Sequence, residues 1–131
     1  MVLMTMLLLT ASPLAPTALA SAPAAAPAQE SAADLRAADA RLNTQYRATM
    51  ALMKTHDASN APDAQTGPSY QQALVTAQRA WIGFRDANCR AFGYEFRGGS
   101  AEGLAHRMCL IRMTQARMTE LRDLATALSP I

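Results

Sequence analysis

Two cysteines, two histidines and a scatter of arginines are the residues of this sequence with chemistry to offer. His106 stands three residues before Cys109, a spacing that puts both on one face of a helix. With Cys89 and His56 they make four potential metal ligands, but no paired C-x-x-C motif accompanies them, and no metal site is expected. A nucleophile has no evident partner either. The sequence contains no G-x-S-x-G, no H-E-x-x-H and no glycine-rich phosphate loop, so no catalytic residue and no cofactor are expected. The use that suits both cysteines is a disulfide, provided that the chain between them folds back on itself.

Periodicity supplies that fold. Leu35, Ala38, Leu42, Tyr46, Thr49 and Met53 recur at spacings of three and four, the stripe of a first helix that begins after Ser31. Lys54 and His56 suit its C-terminal end by complementing the helix dipole. The stretch Ala58 to Ser69 (ASNAPDAQTGPS) is rich in turn formers and reads as a loop. A second helix is expected from about Ser69 to Arg97, with Tyr70, Leu74, Ala77, Trp81, Phe84, Asn88 and Phe92 as its inner stripe. Gly98-Gly99 should end it, since glycine takes the left-handed conformation at least cost. Ser100 is a candidate N-cap for a third helix running to about Leu128. On that helix Leu110, Ile111, Met118, Leu121, Leu124, Ala125 and Leu128 share a broad apolar face.

Folded as an antiparallel hairpin, the second and third helices bring the cysteines to nearly one level. Cys89 lies nine residues before Gly98 and Cys109 ten after Gly99. The mismatch is one residue, ~1.5 Å along the axis, and a disulfide absorbs it.

Several polar residues fall in or beside these stripes. Arg117 and Thr114 interrupt the apolar face of the third helix, and a guanidinium there needs an acidic or carbonyl partner. Asp39, which shares the edge of the first stripe with Asn43, is the first candidate. Arg85 sits at the edge of the second stripe, where it either pairs with Asp39 or points outward. Arg79, Asp86 and Arg90 share the opposite side of that helix, as a solvated i, i+4 pair or as a strip that binds a partner.

With 131 residues the chain has room for one domain. Half of it is hydrophobic but only 5% is aromatic, so the core must be small and built from closely packed helices. Twelve Lys and Arg against ten Asp and Glu leave a net charge of +2, without the polybasic arm that nucleic-acid binding requires. The start has a different character. Val2 to Leu9 is an apolar run too short to span a bilayer, followed by Pro13, Pro16 and the small-x-small site Ala18-Leu19-Ala20. Residues 1–20 therefore read as a cleaved signal peptide, residues 21–30 as a Pro/Ala tether and 31–129 as the helical domain. No Lys or Arg precedes Arg36, so the usual basic start of such a signal is missing. A soluble periplasmic or secreted product with no stable membrane anchor is expected, and in that compartment two cysteines favour a bridge.

The block from Ala77 to Cys89, AQRAWIGFRDANC, is followed by Gly98-Gly99-Ser100, Cys109-Leu110 and Thr114-x-x-Arg117, and preceded by Asp39-x-x-Leu42-Asn43-x-x-Tyr46. Together these resemble the LprI-like lysozyme inhibitor family of exported helical proteins, over about Ala33 to Leu124. The resemblance implies an all-α fold, here a small helical hairpin or three-helix bundle with one disulfide. It also implies lysozyme as the partner, bound by protein–protein contact. Members often carry a further cysteine pair that this chain lacks, so its first helix must be held by packing around Leu42, Tyr46 and Met53. The competing reading is an envelope module that binds another protein or peptide without inhibiting lysozyme.

Overall fold

The structure, a computed structural model, describes residues 27–59 and 67–129. The expected signal peptide, most of the tether and the middle of the Ala58 to Ser69 loop lie outside the described residues. Three helices carry the fold: α1 (Pro27–Ser59), α2 (Tyr70–Gly93) and α3 (Glu102–Leu128), with a 3-10 turn at Tyr94–Phe96. Helix α1 thus begins inside the stretch read as tether, at a proline, which a helix accepts in its first turn.

Cross-links fix the topology. Arg107 donates to the Ser31 hydroxyl, Thr49 to the Leu121 carbonyl, and the His56 ring meets the Leu128 carbonyl at 2.8 Å. Helices α1 and α3 therefore run parallel, and α2 returns antiparallel to both. The α1–α3 interface is the most extensive and the α1–α2 interface the thinnest. The core centres on Leu42, Met53, Leu74 and Leu121, with Tyr46, Trp81, Met118 and Leu128 packed against it.

On α1 the buried stripe contains Ala38, Leu42, Thr49 and Met53, at the expected phase. Helix α2 is rotated from its expected phase. Its buried residues are Leu74, Gln78, Cys89 and Gly93, whereas Phe84 is 61% exposed, Phe92 is 43% exposed, and Ala77 and Asn88 face solvent. The physical reason is the bridge. Cys89 and Cys109 are disulfide-bonded with Cα atoms 5.4 Å apart, and both are buried. Counting back from Cys89 in steps of four and three gives Arg85, Trp81, Gln78 and Leu74, so the staple decides which side of α2 faces inward.

The N-terminus of α2 is doubly satisfied. Ser69 and Gln72 form a reciprocal capping box. The Asp57 carboxylate accepts from the Tyr70 and Gln71 amides at 2.7 and 3.1 Å. At the other turn Gly98 has φ +77°, the left-handed region. Ser100 does not cap α3; the N-cap is Ala101, which has no side-chain cap bond. Glu102 reaches back instead, and its carboxylate accepts the Gly98 amide at 2.8 Å.

Candidate functional site

Arg85 ties the three helices together at one level. Its Nη1 donates to Asp39 Oδ1 on α1 and to Thr114 Oγ1 on α3, both at 3.1 Å, and its Nε donates to Asp86 Oδ1 at 2.9 Å. The guanidinium side chain is 16% exposed, while Asp39 and Asp86 are 43% and 50% exposed. The carboxylates thus keep much of their hydration, which lowers the cost of burying the cation.

Arg117 does not reach Asp39: Arg85 joins that carboxylate at the level of Thr114, about one helical turn before Arg117 on α3. Its Nε donates to Gln78 Oε1 at 3.1 Å and its Nη1 to Glu120 Oε2 at 2.8 Å. Both guanidinium carbons lie within 6 Å of the Trp81 ring, at 5.1 Å for Arg85 and 5.9 Å for Arg117. Asn43 is exposed and makes no side-chain hydrogen bond among the described residues. Gln78 and Glu120 escaped notice in the sequence. The signal for Gln78 was its spacing of eleven residues from Cys89, three helical turns.

No buried side-chain polar atom lacks a partner among the described residues. A set of this kind orients the helices, while the half-exposed carboxylates of Asp39 and Asp86 stay open to solvent. The four potential metal ligands are also dispersed. Both thiols are in the bridge, His56 lies at the far end beside Leu128, and no group of three or more His, Cys, Asp or Glu converges among the described residues.

The outer strip of α2 differs from its expected form. Asp86 turns to Arg85 and makes no ion pair with Arg90, so Arg79 and Arg90 are exposed without a carboxylate partner among the described residues. Arg90 opens onto a surface cleft lined by Tyr94, Glu102 and His106 at the α2–α3 turn. Around this turn Phe92, Tyr94 and Phe96 are each 43–44% exposed. The Arg97 guanidinium lies 4.5 Å from the Tyr94 ring centre, and that of Arg112 lies 5.6 Å from Phe92. At the opposite end an apolar groove between α2 and α3 is lined by Met53, Tyr70, Leu74, Ala77, Leu124 and Leu128.

Asp57 closes that opposite end. Desolvation pushes its carboxyl up, but amide donation from Gln71 and Tyr70, with help from the Gln71 and Ser69 side chains, holds it below its ordinary value. His56 stacks on Tyr70 with ring centres 5.2 Å apart. The two residues anchor both ends of the α1–α2 connection.

Residues 18–121 match the family described as Lysozyme inhibitor LprI. This chain belongs to the LprI family. The match takes in the disulfide, the Arg85 cross-link and the core down to Leu121. The chain is also 43% identical over 91 residues to an uncharacterized protein of Rhizobium meliloti (strain 1021), an alignment covering 70% of this chain. It spans 66% of that relative's length, just under two thirds. No solved structure matches it. The LprI family is described by inhibition and not by turnover, and among the described residues no helix is long and apolar enough to cross a membrane.

Proposed function

We propose that this LprI-family chain is an exported, non-catalytic binding protein that inhibits a lysozyme through non-covalent contact. The observation that carries this reading is the family match over residues 18–121, which covers α2, the disulfide and α3 as far as Leu121. The internal polar residues are saturated by one another, which suits a rigid presenting scaffold better than an active site. Binding then depends on the outer surface. The contact region includes the exposed Arg79/Asp86/Arg90 strip, with the Ala58 to Ser69 loop as a second element. Neither a cofactor nor nucleic acid takes part.

Export places the mature chain in the periplasm or outside the cell, beginning at Ser21. N-terminal sequencing of the secreted product tests the cleavage site. Activity is tested by titrating oxidised protein into a turbidity assay with several lysozyme classes. Saturable slowing of lysis is the expected result. Absence of inhibition at excess protein, with a different envelope protein recovered in its place, sinks the reading.

A further inference from the structure

The tip of the α2–α3 hairpin concentrates what the rest of the chain balances out. Between residues 87 and 113 there are four cations (Arg90, Arg97, Arg107, Arg112) against two acids (Glu95, Glu102). Elsewhere in the sequence eight cations balance eight acids, among them Asp34 and Arg36 of α1, which the Arg107–Ser31 bond brings to this same end. Two of the six tip charges are committed internally: Arg107 to Ser31 and Glu102 to the Gly98 amide. The other four, Arg90, Arg97, Arg112 and Glu95, form no ion pair among the described residues.

The same tip leaves aromatics outside in a protein short of them. Four of the seven aromatic residues are exposed, and three of those four fall between Phe92 and Phe96. They face outward because α2 and α3 approach too closely to admit them. A Cβ on Gly93 would stand 3.3 Å from the His106 Cβ and 3.4 Å from the Glu102 carbonyl oxygen. Large apolar groups held in water offer the fold little and a partner much. Exposed aromatics interleaved with arginine have the composition of interface hot spots. Rigid rings also lose little conformational entropy on binding. The surface is organised in advance by the buried disulfide, the Glu102–Gly98 bond and the stacking of Arg97 on Tyr94.

We infer that this tip is the part of the molecule that enters the lysozyme cleft, with Arg97 presented to the catalytic carboxylates and Tyr94 and Phe96 packed against the cleft walls. The inference rests on the lysozyme-binding reading and narrows it to one surface. Glycosidases of this kind flank the scissile bond with two carboxyl groups, at least one of them ionised. An arginine fork is the side chain best matched to such a group. A net charge of +2 offers no long-range attraction to a basic lysozyme, whereas a cationic tip complements its acidic cleft locally.

The test uses the full oxidised chain against a lysozyme that the unaltered protein inhibits. Arg97→Glu and Tyr94→Ala should each raise the half-inhibitory concentration at least tenfold, with unchanged melting temperature because both side chains are exposed. Lys54→Glu makes the same change in net charge at the opposite end of the bundle and should shift it less than twofold. A chito-oligosaccharide filling the cleft should compete with the unaltered protein. Full inhibition by both tip variants, an equal loss in Lys54→Glu, or binding undisturbed by the oligosaccharide would overturn the tip while leaving lysozyme inhibition standing. Failure of the unaltered protein to inhibit any lysozyme removes the functional reading first, and the tip assignment with it.

Discussion

From Leu42 to Leu128 the three helices are held by packed apolar side chains, with Met53, Leu74 and Leu121 at the centre and Tyr70 and Met118 around them. Towards the hairpin tip the same helices are held by other means: a disulfide, a glycine crossing at Gly93, and hydrogen bonds from Arg107 and Glu102. About a hundred residues cannot fill a long bundle with large side chains at both ends. Covalent and polar links do at the tip what burial does elsewhere. That arrangement leaves Phe92, Tyr94 and Phe96 free to face outward, where a packed end would have consumed them.

If the two ends differ in this way, damage to each should spread differently. Leu121→Ala strikes the packed end at a residue with no exposure. It should cost about 3 kcal/mol or more and lower amide protection throughout the bundle. Replacing both cysteines by serine opens a link across 20 residues of sequence. The expected loss is somewhat smaller, ~3 kcal/mol on the chain-entropy estimate. Hydrogen exchange should then quicken first around Phe92 to Met108, while Leu74 and Leu121 stay protected. Uniform loss of protection in both variants would erase the distinction between the ends.

A smaller effect tests the polar layer between them. Arg117→Ala removes a side chain that is 15% exposed and leaves Gln78 without its donor. About 1.5 kcal/mol is expected, by the usual value of hydrogen bonds from charged groups, against roughly 0.5 kcal/mol or less for the exposed Arg112→Ala. Denaturant melts of the pair measure it. The smallest effect belongs to Asp57. Its folded carboxyl titrates below the unfolded value, so its contribution is fully present above the unfolded value and fades as pH falls through the folded one. Melting temperatures below about pH 4 should therefore decline more steeply in the unaltered protein than in Asp57→Asn. The difference should also be read in the amides of Tyr70 and Gln71.

The candidate site was legible in parts. The bridge followed from counting outward from Gly98-Gly99, and it formed as counted. Arg85, Thr114 and Asp39 are each recognisable as polar residues in or beside apolar stripes, yet their spacing points Asp39 to Arg117 as readily as to Arg85. Both arginines reach several ångströms from their helices, and sequence spacing does not say which guanidinium arrives first. Tyr94 and Arg97 escaped notice because an aromatic next to a turn carries no periodic signal of its own.

The sequence by itself determined three helices, their turns and the partnership of Cys89 with Cys109, because capping, glycine conformation and 3.6-residue periodicity act over a few residues. It misplaced the rotation of α2, since successive residues stand 100° apart on a helix and Arg85 lies at the edge of the stripe in which Phe84 falls. Only the tertiary structure decided between them. The disulfide pins Cys89 inward, and Arg85 then finds Asp39 and Thr114 waiting on the other two helices. A buried cation with three acceptors is tolerable, while Phe84 turned outward loses only part of its burial. The meeting of Arg90, Arg97 and Arg112 with three exposed aromatics at one tip is likewise a product of folding back, since two antiparallel helices and the turn between them carry these residues.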